Sequence, residues 1–210
     1  MEKTYIINDV YITLQYDHEL HAAAAVTIMK ALETLKPKRA VNDVDMLDSG
    51  FSEAVKKTLK DCASKGYVFK PYCALRSIYD QARLWRQSRP TSEIERVTRK
   101  IERSAPFVAS VLRAVGAQHG RWATNALPGQ SWHQWGLAVD CFLCSDSGSA
   151  IWSSTHPGYA VYAEAAVANG LICGYNWSRK DSVHLQQPAG TVNDLYSWSE
   201  IDNAMKLREG

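Results

Sequence analysis

Apolar and polar positions alternate from Val10 to Tyr16, with Val10, Ile12, Leu14 and Tyr16 against Tyr11, Thr13 and Gln15, which predicts a strand. The period then lengthens. Leu20, Ala24, Ile28, Leu32 and Leu35 recur at helical spacing over residues 19–35, with Asp17 as a cap. Pro37, in Lys36-Pro37-Lys38-Arg39, ends that helix. Phe51, Val55, Leu59 and Cys62 mark one face of the next helix, with Lys56, Lys57 and Lys60 outside it and Gly66 as its stop. Alternation returns through Tyr67, Phe69, Pro71, Cys73 and Leu75, where Pro71 implies an edge or irregular strand.

Beyond it, Ser77 with Asp80 starts a helix running to about Arg86. A charged helix follows from Ser92, another begins at Pro106 and is closed by Gly116, a fourth runs from Pro157 to Gly170, and a last one covers Trp198–Leu207. Leu137–Leu143 predicts a core strand, and residues 171–173 and 183–186 predict short ones. Helices and strands do not alternate regularly, so the fold class is α+β. Residues 1–45 are expected to be an N-terminal extension, strand plus helix, packed on a domain of residues 46–210.

Composition adds constraints. Of 210 residues, 46% are hydrophobic and 22% charged, the balance of a globular domain with a proper core. A net charge of +2 gives no footing for nucleic acid. No run of eighteen apolar residues predicts an integral membrane segment. The opening Met-Glu-Lys-Thr-Tyr has no basic stretch followed by an apolar one, so synthesis in the cytoplasm without a signal peptide is the expectation. Five cysteines, an odd number without framework spacing, predict reduced and mostly buried thiols. Cys141-Phe-Leu-Cys144 has the spacing of half a zinc knuckle, but no second pair follows, and strand core is the better reading.

The residues with chemistry lie in two stretches: Ser131-Trp-His133-Gln-Trp-Gly136-Leu-Ala138-Val-Asp140 and Asp181-Ser-Val-His184. They supply two imidazoles and two carboxylates. Ligands of one zinc ion approach within roughly 3–4 Å of each other. His133 and Asp140 are seven residues apart, about 23 Å in a strand and about 10 Å in a helix. The chain must therefore turn between them, and Gly136 is where a turn costs least. A residue three positions before a ligand, as Asp181 stands before His184, can lean over a metal's open face; a surface turn with an incidental histidine is the alternative.

Ser131-x-His133 followed by Asp140, with Gly136 and Ala138 between, resembles the zinc-ligand motif of the D-alanyl-D-alanine carboxypeptidase and dipeptidase family, which includes the VanX and VanY enzymes and phage L-alanyl-D-glutamate endolysins. Asp181-x-x-His184-Leu-Gln resembles its second motif. Leu75-Arg76-Ser77-x-x-x-Gln81 is similar to its Tyr-Arg-Ser-x-x-x-Gln segment, and Thr124-Asn-Ala-Leu-Pro-Gly-Gln-Ser131 is similar to the run before the histidine in the endolysin branch. The resemblance spans residues about 50–190. It departs at Val183, where a Trp or Pro is common, and at Leu75, where an aromatic is common.

The resemblance implies a single Hedgehog/DD-peptidase-like domain, a small, mainly antiparallel sheet with helices on one side. It implies Zn²⁺ held by His133, Asp140 and His184, with water in the fourth position acidified to a pKa of about 7. Asp181 would be the general base and Arg76 would face the oxyanion or a substrate carboxylate. Ser131, Gln81 and Trp177 would bind substrate. Trp132, Trp135, Trp152 and Trp177 crowd these motifs as candidate walls of a groove, with ring packing in the core as the equal alternative. The expected partner is a peptidoglycan stem peptide. The implied reaction is amide hydrolysis at the L-Ala–D-Glu bond, as in endolysins released through a membrane lesion to reach the cell wall. D-Ala–D-Ala hydrolysis, or a catalytically idle wall-binding module, stand as alternatives.

Overall fold

A computed structural model describes residues 2–7, 10–15 and 42–209. The alternation at Val10–Tyr16 is realised as strand β2 (Val10–Gln15), paired antiparallel with an unanticipated strand β1 (Glu2–Ile7) in a two-stranded sheet. The helix expected over residues 19–35 and its Pro37 stop lie outside the described residues.

Helix α1 (Ser49–Ser64) follows because Asp48 caps it, its Oδ1 accepting from Gly50 and Phe51 N–H, while Phe51, Val55 and Cys62 line the buried face. Strand β3 (Phe69–Cys73) has a bulge between Pro71 and Cys73, the irregularity Pro71 foreshadowed. Helix α2 (Ile78–Arg86) starts where Ser77 Oγ accepts from Asp80 N–H. Helices α3 (Thr91–Ile101) and α4 (Pro106–Ala114) come next. Strand β4 (Ala138–Cys144), the short β5 (Ala150–Ile151), helix α5 (Pro157–Ala168), strands β6 (Ile172–Cys173) and β7 (His184–Gln186), and helices α6 (Val192–Leu195) and α7 (Trp198–Glu209) complete the described chain.

The second sheet runs β3-β4-β7-β6, with β5 also on β4, and all its pairs are antiparallel. This is the α+β arrangement. On one face Val139, Cys141 and Leu143 of β4 pack with Phe51 and Val55 of α1 and with Tyr159, Tyr162 and Ala166 of α5. A second cluster joins α2, α3, α4 and α7 through Ile78, Trp85, Ile94, Leu112, Ile201 and Met205. Buried Asp202 of α7 ties this cluster together by accepting from Val108 N–H in the first turn of α4, which has no side-chain cap of its own. The alternating face of β4 also settles the Cys141/Cys144 pair. Cys141 is buried in the first core, and three residues along a strand its partner points to the opposite face, so the two cannot share a metal.

Candidate metal centre

The register of the sheet builds the centre. Cys73 of β3 stands opposite Asp140 of β4, and Asp140 stands opposite His184 of β7, so three donors lie in a row across adjacent strands. His133 reaches the row from a 3-10 turn (Trp132–Trp135) that leads into β4. Gly136 ends that turn with φ of 74°, the left-handed conformation expected there, and its carbonyl accepts from Asp48 N–H. A Cβ on Gly136 would also stand 3.3 Å from Asp48 N, so the turn and the start of α1 fix each other.

Asp140 is at the middle. Its Oδ1 lies 3.3 Å from His133 Nε2 and 3.0 Å from His184 Nδ1. The other nitrogen of each ring is spoken for. His133 Nδ1 is 2.9 Å from the Ala74 carbonyl, which can only accept, so Nδ1 carries the proton and Nε2 is left as a lone pair. His184 Nε2 lies 3.2 Å from Gln186 Oε1, again an acceptor, which leaves Nδ1 turned toward Asp140. One nitrogen of each imidazole therefore faces the same Asp140 oxygen, and each ring is held from behind, as metal-ligating histidines are. The donor set fits Zn²⁺.

Cys73 Sγ also falls within 4.8 Å of the His133 and Asp140 donor atoms. It approaches His133 at Nδ1, the nitrogen given to Ala74, at 4.0 Å, and it accepts from Arg76 Nη2 at 3.3 Å. Burial pushes its thiol up, while the Arg76 guanidinium pulls the other way. Candidate donors are thus Cys73, His133 and Asp140, whose atoms all lie within 4.8 Å of one another, and His184, which reaches the same Asp140 oxygen. Sequence reading had passed over Cys73 as a core thiol and had not singled out Gln186. Only cross-strand register identifies the first; the second shares its face with His184 by standing two residues on.

Charge in this cluster is strongly coupled. Burial alone would raise the Asp140 carboxyl, but the His133 charge and the hydrogen bonds of both imidazoles outweigh it and hold the carboxyl well below its ordinary range. Desolvation pushes His133 down, against the pull of Asp140. Desolvation also opposes the charge on His184, yet its hydrogen bond to Asp140 prevails and raises it. Asp181 sits on the turn before β7, its N–H donating to the Gly174 carbonyl and its carbonyl accepting from His184 N–H. It is solvent-exposed, but protein packed around its carboxyl still desolvates it and, with Asp140 nearby, raises it; His184, His133 and Arg76 pull the other way.

Arg76 contacts Asp140 Oδ2 at 3.4 Å while its Nη1 donates to Gln81 Oε1 at 2.9 Å. Gln81 is fully buried, and its amide donates to the Ala126 carbonyl. The expected substrate contact from Gln81 is thus replaced by a positioning role: it holds Arg76 beside the donors. Ser131 is half-buried, and its carbonyl starts the 3-10 turn by accepting from Gln134 N–H. Trp177 is 38% exposed and its ring lies 5.2 Å from that of His184. Trp132 and Trp135 do not wall a groove. Trp132 is buried with its indole donating to the Gly190 carbonyl; Trp135 stacks on Tyr196 at 4.5 Å and donates to the Gly129 carbonyl.

Residues 45–186 match the VanY family, described as D-alanyl-D-alanine carboxypeptidase. The chain belongs to that family. As a VanY-family protein it is a zinc metallopeptidase that acts on peptidoglycan. Among solved structures, it is similar to the L-Ala D-Glu endopeptidase ChiX of Serratia marcescens, at 17% identity and a TM-score of 0.43, over 77% of this chain and 92% of that one. It is also similar to the LD-carboxypeptidase LdcB, at 19% identity and a TM-score of 0.41, over 78% of this chain and 63% of that one. A third is a mutant of the vancomycin-resistance D,D-pentapeptidase VanY from a VanB-type cassette, in complex with Zn(II), at 17% identity and a TM-score of 0.39, over 78% and 79%. No helix among the described residues is long and apolar enough to cross a membrane.

Proposed function

We propose that this VanY-family protein cleaves the L-Ala–D-Glu amide of the peptidoglycan stem, with Zn²⁺ held by His133 Nε2, Asp140 Oδ1 and His184 Nδ1. The observation that supports the site assignment is the approach of both nitrogens to Asp140 Oδ1, with Ala74 and Gln186 holding the rings from behind. When bound, zinc acidifies a water and polarises the scissile carbonyl. Asp181 takes a proton from the attacking water and returns it to the leaving amine nitrogen. Partial desolvation raises this carboxyl, which makes it a better proton acceptor than an ordinary aspartate. Arg76, fixed by Gln81, places positive charge at the edge of the donor set, where the carbonyl oxygen becomes negative. Trp177 and Ser131 flank the place where the stem would lie.

Two features favour a bond inside the stem over a terminal one. The Thr124–Ser131 run resembles the one before the histidine in endolysins, and the Arg76 guanidinium is already engaged with Gln81, Cys73 and Asp140, so it is not free to clamp a terminal carboxylate. The family description favours the second reading, release of terminal D-Ala. Mass spectrometry of digested peptidoglycan separates them: a new amino group on D-Glu marks the first reading, and free D-Ala marks the second. Asp181→Asn should keep stoichiometric zinc and lose about 10²–10⁴-fold in hydrolysis. Undiminished hydrolysis in that variant would remove Asp181 from its role.

A further inference from the structure

The donor row does not fill the face of the sheet that it occupies. Two residues along β4 from Asp140, on the same side, lies Phe142, about 7 Å away. Across the ladder Lys70 pairs with Phe142, so Tyr72, two residues on, keeps to this face, and the bulge after Pro71 brings Cys73 beside it. Just past β5, which pairs with the end of β4, comes Trp152. The three rings form one shelf: Tyr72 and Trp152 meet edge-on at 5.0 Å, Phe142 and Trp152 lie 5.4 Å apart, and Tyr72 and Phe142 lie 6.4 Å apart. Trp152 is 54% exposed and Tyr72 37% exposed. At its inner end the shelf joins the metal centre, since Tyr72 directly precedes Cys73, which stands opposite Asp140.

We propose that Tyr72, Phe142 and Trp152 form a saccharide subsite that takes a pyranose ring of the glycan strand while the attached stem lies across the donor row. The inference rests on the L-Ala–D-Glu reading and extends it. In peptidoglycan the L-Ala is the residue joined to the sugar, so cleavage after it holds the sugar within about two extended residues, roughly 7 Å, of the reacting bond. That matches the spacing from Asp140 to Phe142. A terminal D-Ala–D-Ala bond lies three residues further from the sugar and would leave the shelf empty. The chemistry of the shelf also suits a sugar. The C–H face of a pyranose packs on the negative faces of aromatic rings while its hydroxyls stay in water. Half-exposed rings can bind such an amphipathic ligand without enclosing it.

The test uses peptide-free glycan strands, prepared by amidase digestion, titrated into the zinc-loaded protein and followed by tryptophan fluorescence. Wild type should bind them, Trp152→Ala should bind at least fivefold more weakly, and Trp152→Phe should recover part of the loss. On intact sacculi the kcat/KM of Trp152→Ala should fall through KM, at least fivefold more than on a free L-Ala–D-Glu stem peptide. Equal losses on both substrates would mean that the ring meets the peptide, and would overturn the subsite. Absence of glycan binding by wild type that still cleaves the free peptide would also overturn it. Trp152-dependent glycan binding by a protein that cleaves no L-Ala–D-Glu bond would keep the subsite and sink the cleavage reading instead.

Discussion

Strand β4 has two faces that follow different rules. Val139, Cys141 and Leu143 enter the core between α1 and α5, where exclusion from water accounts for their position. Asp140, between them in sequence, is equally hidden, yet it is a carboxylate. Burying such a charge costs several kcal/mol in principle. The cost is offset only because His133, His184 and Arg76 converge on it. One face of the strand therefore holds the fold together, and the other spends stability on a cluster whose arrangement makes sense around a cation. Changes on the two faces should separate cleanly, stability on one and metal or turnover on the other.

The largest separation is expected from His184→Ala. Loss of one of three donors should lower zinc content and hydrolysis by more than a hundredfold, and abolish the rise in Tm that zinc gives the wild type. Equal zinc by elemental analysis would exclude His184 as a ligand. On the opposite face, Leu143→Ala should cost about 2–5 kcal/mol, a Tm drop of roughly 5–15 °C, with zinc stoichiometry intact in the folded protein. Loss of zinc in that variant while it remains folded would break the separation. Next comes Gly174→Ala. A Cβ there would lie 2.4 Å from the Asp181 carbonyl oxygen, a backbone atom that cannot swing away. Displacing the Asp181 turn should lower kcat by up to about a hundredfold while zinc stays bound. An unaltered kcat would show that the position of Asp181 is not critical.

What was legible in the chain follows the range of the forces involved. Helix starts and stops are local, and Ser77, Pro106 and Pro157 marked them correctly because caps and proline act within a turn. Strand β5 is two residues long and exists only through its pairing with Leu143 and Cys144, so no pattern announces it. The motif residues His133, Asp140 and His184 could be singled out, and their predicted turn at Gly136 is present. Cys73 joined them only through register. The tryptophans were harder still. Trp132 and Trp135 pack inward while Trp152 and Trp177 are exposed, and an indole reads the same in either place until its N–H partner is known.

The smallest effect concerns the core face alone. Burial pushes the thiols of Cys62 and Cys173 up to about 11 and that of Cys141 up to about 12, from an ordinary 9.0. In the unfolded chain these thiols ionise near 9.0, whereas in the fold they stay protonated. Their stabilisation is complete well below pH 9, starts to fall as pH approaches 9, and is lost as pH rises on toward 11–12, because only the unfolded state gains by releasing protons. Between pH 8 and 9 the three together should remove about 1 kcal/mol, before the buried phenols of Tyr159 and Tyr162, also raised from 10.0, contribute. Urea midpoints measured at both pH values check this, and Cys141→Ala should flatten the dependence by about a third. A dependence unchanged in that variant would assign the alkaline loss to other groups. If the loss instead disappeared on adding zinc, it would belong to the donor face, and the division between the two sides of β4 would fail.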